Sequence, residues 1–302
     1  MISAIVHTYN EEKTIDRCLS SLSWCDERVI IDMGSSDKTC AIAKEHRTKI
    51  YIHPYTGFVE PARNFDIEKA KGEWILIVDA DEEVSSNLSH YLTIEAGNPK
   101  GDYYRLSRKN LIFGKWIRHA GWWPDYQIRF FTKGAVSWTK QLHGIPITHG
   151  IGVDLEAIES LSIIHHNYQT LEQFLDRLNR YSAIAAKELH LAGKKFEINS
   201  LFKKPAQEFI RRYFIWEGYK DGIHGLTLSF LQAFSELITY LKLWEIGDYR
   251  EGRIDISQIG GLIENEYRDK EYWILSTLLK EPRNIMQDLL WRIKRKLNNH
   301  GR

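Results

Sequence analysis

An α/β fold, with a doubly wound and mostly parallel sheet followed by a helical region, is predicted by three observations. Short apolar strands alternate with helical segments from Ile2 to Asp79, the pattern of successive βαβ units. The unbroken run Trp74-Ile75-Leu76-Ile77-Val78 ends abruptly in Asp79, Asp81, Glu82 and Glu83, as expected of a strand buried on both faces. From Thr170 onward, apolar residues recur at three- and four-residue steps, the period of packed helices.

Ile2 to Val6 reads as the first strand, being too short and too poor in basic residues for a signal peptide. A helix follows on Ile15, Cys18, Leu19 and Leu22, with Asn10 as its N-cap and Glu11 and Glu12 in the first turn. Arg28 to Asp32 is a second strand, and Ser36 or Asp37 caps a short helix through Lys44. Lys49 to Ile52 is a brief third strand before Pro54, and Phe58 to Lys71 is helical, with Pro61 near its start. After the Trp74–Asp79 strand comes a helix from Ser86 to Glu95, ended by Asn98-Pro99. Tyr103 to Lys109, Tyr126 to Phe131 and Leu161 to His165 read as strands. Between the first two, the aromatic, glycine-punctuated stretch from Phe113 to Asp125 is too long for a mere connection. The later helices are expected around Leu171 to Ala185, Pro205 to Trp216 and Leu226 to Trp244. The last carries a polar stripe of Ser229, Gln232, Glu236, Thr239 and Lys242, which argues against a membrane span. Two domains are expected, 1–165 and 166–302.

With 302 residues, 43% hydrophobic and 27% charged, the chain can bury a sizeable core. A net charge of +1 supplies no general field for nucleic acid. Cys18, Cys25 and Cys40 match no zinc spacing and, being odd in number, no disulfide framework, which points to free thiols in the cytoplasm. The ten Trp and fifteen Tyr serve either core packing or stacking on sugars and interfaces.

The chemistry gathers at Asp79-Ala80-Asp81. Two carboxylates side by side repel unless a cation sits between them, and hard oxygen ligands suit Mg²⁺ or Mn²⁺. In open α/β sheets, ligands bind beyond the carboxyl ends of the strands. Such a cation would be well placed to hold a diphosphate.

Thr8-Tyr9-Asn10-Glu11, Asp32-Met33-Gly34-Ser35-Ser36-Asp37, Ala62-Arg63-Asn64 and Asp79-Ala80-Asp81-Glu82 stand in the order found in family 2 glycosyltransferases with the GT-A fold, and the chain resembles that family. It is most similar to the bacterial lipopolysaccharide-core glucosyltransferases of the heptose-modifying type. Trp122-Trp123-Pro124-Asp125, Arg129-Phe130-Phe131 and Asp221-Gly222 extend the likeness to about Trp244.

The resemblance implies an inverting, metal-dependent transfer of a hexose from a nucleotide sugar, UDP-linked by family frequency, to a glycan or lipid-linked acceptor. It places base and ribose near Thr8, Tyr9, Asn10, Glu11 and Asp32, and the nucleotide against Arg63 and Asn64. Asp79 and Ala80 would lie at the ribose, Asp81 on Mn²⁺ or Mg²⁺, and Asp125 would be the catalytic base. His143 is either a further metal ligand or a structural histidine; Gly144 follows it where the family usually has an acid. His165 and His166 read as structural residues at a strand end. Simpler roles stay open: Asp32 as a helix-start residue, Arg63 as a solvated charge, Pro124-Asp125 as a turn. Trp116, Trp122 and Trp123 offer a sugar platform or core. The basic tail, Arg292, Lys294, Arg295 and Lys296 around Trp291, is either a solvated helix face or a contact with an anionic membrane surface on the cytoplasmic side.

Two other classes share part of this pattern. A haloacid-dehalogenase-type phosphatase also ends a strand in Asp-x-Asp, but near its first strand, and usually with Thr or Val where Glu83 stands. A non-catalytic carbohydrate-binding protein would use the tryptophans but has no need of Asp79, Asp81 and Arg63 beside a parallel sheet.

Overall fold

The computed structural model describes residues 1–54, 66–138, 146–250, 252, 254–280 and 285–298. In chain order the first part comprises β1 (Ile2–Thr8), α1 (Ile15–Ser21), β2 (Glu27–Asp32), α2 (Thr39–Glu45), β3 (Lys49–Ile52), β4 (Trp74–Asp79), β5 (Glu82–Glu83) and α3 (Ser86–Gly97). There follow β6 (Tyr103–Leu106), β7 (Arg108–Ile112), β8 (Lys115–Trp116), β9 (Gln127–Thr132), β10 (Val136–Ser137), β11 (Ile147–Thr148), β12 (Gly152–Asp154) and β13 (Ile163–Tyr168).

Seven strands form one mixed sheet in the order β12-β6-β9-β4-β1-β2-β3. β1 is parallel to β2 and β4, and β2 to β3. β9 is antiparallel to both β4 and β6. Every residue of β1 is buried because both faces are covered. Ala4 and Val6 pack toward Ile15, Cys18 and Leu19 of α1, Leu22 just beyond it, and Leu88 and Leu92 of α3. Ile5, Ile75 and Ile77 belong to the opposite face, with Ile67, Phe131 and Trp138. Trp74 stacks on Phe130 with centroids 4.6 Å apart, which ties β4 to β9.

A second, four-stranded sheet has the order β5-β13-β7-β8. Its antiparallel β13–β5 pairing sets His165 opposite Glu82 and Ile164 opposite Glu83. The single strand expected over Tyr103 to Lys109 is two, because the chain leaves the large sheet at Ser107, whose hydroxyl meets that of Ser162 at 2.7 Å.

The remaining helices are α4 (Leu171–Leu191), α5 (Ile198–Ile210), α6 (Ile223–Ile246), α7 (Ile256–Leu278) and α8 (Ile285–Leu297). By internal contacts the chain divides into two compact units, Met1–Trp116 with Trp123–Asn167, and Ile117–Trp122 with Tyr168–Arg302. A capping box starts α4: Thr170 Oγ1 accepts the Gln173 N–H at 3.2 Å, and Gln173 Oε1 accepts the Thr170 N–H at 3.4 Å.

The helix expected to start at Pro205 instead starts at Ile198, with Pro205 inside it, and passes into a π-helical turn over Arg211–Ile215. Buried Ala206 and Ile210 hold that face in place, so packing outweighs the proline's usual role as a helix opener. Asp221 is buried and accepts the N–H groups of Arg118 and His119, at 3.2 and 2.8 Å. Gly225 faces the Gly218 carbonyl oxygen so closely that an added Cβ would lie 1.8 Å from it. Among the described residues, no helix is long and apolar enough to cross a membrane.

Candidate active site

Parallel register brings the carboxyl ends of three strands together. Thr8 lies opposite Asp32, and His7 opposite Asp79. Asp32 is buried and takes four donors: the hydroxyls of Thr8 at 3.0 Å and Ser35 at 2.5 Å, and the N–H groups of Gly34 at 3.0 Å and Ser35 at 2.9 Å. Burial alone would raise its pKa, but the Ser35, Thr8 and Gly34 donors outweigh that and hold it below the ordinary carboxylate range. The turn it anchors needs the left-handed backbone of Gly34, φ +87°. Asp32 is therefore the centre of a loop rather than a helix-start residue.

Asn10 does not cap α1, which begins at Ile15 after Thr14. It has φ 57°, and its Oδ1 accepts the N–H of Ser36 at 2.8 Å, while its own N–H donates to Ser35 Oγ at 2.8 Å. The Glu11 N–H donates to Thr39 Oγ1 at 2.7 Å and the Glu12 N–H to Asp37 Oδ2 at 3.0 Å. The loops after β1 and β2 are thus stitched together, leaving Tyr9 exposed at their rim. Neither Ser36 nor Asp37 is the N-cap of α2, which is Lys38; Asp37 stands one residue earlier and accepts the N–H of Thr39 at 2.9 Å.

Asp79 and Asp81 do not share one direction. β4 stops at Asp79, and Ala80 and Asp81 form a turn, so the extended geometry that would align the two carboxylates is lost. Asp79 pairs with Arg129 of β9, whose Nη1 and Nη2 each donate to one of its carboxylate oxygens. Arg129 Nη2 also donates to Glu82 Oε1 at 2.7 Å, and the Asp79 N–H to Glu82 Oε2 at 2.9 Å. Burial raises the pKa of Glu82 even though Arg129 opposes it. For Arg129, burial would favour loss of the proton, but Asp79 and Glu82 keep it charged.

Asp81 faces a different partner, His165, whose Nε2 lies 3.5 Å from Asp81 Oδ2. The Nδ1 of His165 is 2.7 Å from Asn110 Oδ1, and Asn110 Nδ2 donates to Asp125 Oδ2 at 3.1 Å. Asp125 is also bound by Arg108, from Nε at 2.9 Å and Nη2 at 2.5 Å, and its Oδ1 accepts from Gln127 Nε2 at 3.1 Å. Arg108 Nη1 reaches Glu82 at 3.5 Å. Burial raises the pKa of Asp125, but the Arg108 charge and the Asn110 and Gln127 amides prevail and lower it, so the carboxylate stays ionised. These bonds make Asp125 more than a turn residue.

From the sequence, Arg108 and Asn110 go unremarked, Glu82 and Arg129 stand in motifs without a role of their own, and His165 reads as structural. One signal was available: Arg129 interrupts the apolar strand Ile128-Arg129-Phe130-Phe131, and a buried arginine needs acidic partners. Arg63, Asn64 and His143 lie outside the described residues. Among the described residues, no group of three or more His, Cys, Asp or Glu side chains forms a ready-made metal cage. Trp116 and Trp123 meet edge to face at 5.1 Å in the first unit, whereas Trp122 packs on Tyr168 in the second.

A glycosyltransferase of Rickettsia typhi is 28% identical over 257 residues, covering 81% of this chain and 87% of its own. The lipopolysaccharide core biosynthesis glycosyltransferase LpsC of Rhizobium meliloti is 23% identical over 252 residues, covering 81% and 92%. Among solved structures, S. aureus TarS 1-349 is similar with a TM-score of 0.43 and 15% identity, over 85% of this chain and 94% of that one. The model of the Glycosyl transferase family 2 matches residues 3–161, a stretch that includes Asp32, Asp79, Asp81, Asn110 and Asp125 but ends before His165, and the chain belongs to that family of glycosyltransferases.

Proposed function

We propose that this glycosyltransferase moves a hexose, with inversion at the anomeric carbon, from a nucleoside-diphosphate sugar to a hydroxyl of a glycan or lipid-linked acceptor such as a lipopolysaccharide core. UDP is the expected nucleotide, by frequency within the family. The observation that carries this reading is the polar chain from Asp81 through His165 and Asn110 to Asp125.

Its polarity can be followed atom by atom. An ionised Asp125 only accepts hydrogen bonds, so the Asn110 amide must turn its NH₂ toward it and its oxygen toward His165. The imidazole then carries its proton on Nδ1 and keeps the Nε2 lone pair on the side of Asp81. The Asp81 carboxylate suits Mn²⁺ or Mg²⁺, and the His165 lone pair would add a nitrogen ligand beside it. Asp81 and His165 would hold the cation, which when bound would stabilise charge on the departing diphosphate.

On this reading Asp125 is the base. It takes the proton of the acceptor hydroxyl as that oxygen bonds to the anomeric carbon and the bond to the diphosphate oxygen breaks, the electron pair leaving with the nucleoside diphosphate. Gln127 is the one donor bound to Asp125 Oδ1 among the described residues, which leaves that oxygen an accepting position. Arg108 keeps the carboxylate ionised and fixed, and Arg129 holds Asp79 in place beneath the donor. Thr8, Tyr9, Asn10 and Glu11, with the loop shaped by Asp32, would cradle the nucleoside, and Arg63, Asn64 and Ala80 would line its path. The helical residues from 168 onward are assigned to the acceptor and to an anionic membrane surface on the cytoplasmic side.

The test is Asp125→Asn. Calorimetry with UDP and Mn²⁺ is expected to show donor-side binding retained, while transfer falls by about 10²–10⁴-fold. A loss smaller than tenfold would put the base elsewhere.

A further inference from the structure

Met286, Leu289, Leu290, Ile293 and Leu297 lie on one side of α8, within an arc of about 100°. A helix packed on a core turns such a stripe inward. Here all five residues are exposed, from 52% at Ile293 to 76% at Met286. What ties α8 to α7 includes polar bonds: Lys294 Nζ to Glu271 Oε1 at 2.5 Å, and Asn298 Nδ2 to Glu271 Oε2 at 2.7 Å. α7 carries a similar stripe, since Ile256, Ile263, Tyr267 and Ile274 share one side of the helix and are all exposed.

Charge decides what covers the stripe on α8. The helix carries Arg292, Lys294, Arg295 and Lys296 against the single acid Asp288, which is already paired with Arg292 at 2.5 Å. By helical spacing, Arg292 and Lys296 border the stripe on one side and Lys294 on the other. Arg295 and Lys296 make no ion pair among the described residues. A second copy laid stripe to stripe would bring like charges together, whereas anionic headgroups would meet them with opposite charge. A helix of 13 residues is about 20 Å long, short of the roughly 30 Å hydrocarbon layer, so it can lie in the interface but not span it.

We propose that α8 is a membrane-adsorbing helix that sinks its apolar stripe into a bilayer bearing anionic lipid, with the flanking Lys and Arg groups on the lipid phosphates. This deepens, and rests on, the reading of a membrane-surface acceptor given above, by naming the element and the lipid class. Its work would be to hold the enzyme in the plane where a lipid-linked acceptor is found.

The experiment uses the full chain, sedimented with vesicles of phosphatidylcholine alone or mixed with phosphatidylglycerol. Binding is expected to the mixed vesicles only, and to weaken as salt rises. Leu290→Asp with Ile293→Asp is expected to weaken it at least tenfold, with unchanged circular dichroism and unchanged donor hydrolysis in solution. Arg295→Gln with Lys296→Gln, which keeps the stripe, is expected to weaken it several-fold and flatten the salt dependence. Equal binding by wild type and both variants would overturn the proposal. So would a concentration-dependent dimer that Ile293→Asp dissolves, with no vesicle binding. Vesicle binding by a wild-type protein that hydrolyses no nucleotide sugar would support α8 as the adsorbing element while sinking the catalytic reading.

Discussion

Asn110 is a buried amide that links His165 to Asp125, and its oxygen also accepts from the Asn167 amide at 3.4 Å. It accepts from His165 Nδ1 and donates to Asp125, so its removal should disturb both ends of the site at once. For Asn110→Ala, Mn²⁺ affinity measured by electron paramagnetic resonance is expected to fall by about 10–100-fold, the usual range for loss of a group that orients a metal ligand. The turnover number should fall more than KM for the donor changes. Unaltered Mn²⁺ binding would show that Asn110 merely packs. The sequence displays Asp81 and Asp125 because each stands in a local motif. It hides their connection, because Asn110 and His165 are 55 residues apart and meet only through strand pairing. The same gap in register concealed the Arg129–Asp79 pair, 50 residues apart.

Elements were easiest to read where local pattern and packing agree. The strands Ile2–Thr8, Glu27–Asp32 and Trp74–Asp79 are apolar runs bounded by polar loops, and their burial on both faces leaves no competing assignment. Legibility fails where one local signal has two meanings. Pro205 can open a helix or sit inside one, and Asn10 can cap a helix or adopt a left-handed turn. The start of α6 shows a constraint that no pattern reveals. A glycine within a helix is normally about 1 kcal/mol less stable than alanine, so Gly225→Ala would ordinarily stabilise. Here the new methyl would meet the Gly218 carbonyl, and the expected result is a loss of about 1–3 kcal/mol, in the range for overpacking. Chemical denaturation checks this; an unchanged or higher midpoint would mean that the 218–225 turn yields without penalty.

At the scale of the whole molecule, the order β3-β2-β1-β4 gathers Thr8, Asp32 and Asp79 on one sheet edge, and β13 brings His165 to Asp81. A net charge of +1 leaves no broad electrostatic field, so donor affinity must come from this local set of groups and the cation it would hold. Family membership removes the phosphatase and lectin alternatives, and the central claim becomes the dependence of donor cleavage on Asp81 and a divalent ion. The most direct measurement is nucleoside diphosphate released from a panel of nucleotide sugars by wild type and by Asp81→Ala, with Mn²⁺ or with EDTA. Release is expected from wild type with Mn²⁺ alone, and to vanish in EDTA and in a folded Asp81→Ala. Full turnover in EDTA, or by Asp81→Ala, would contradict the account.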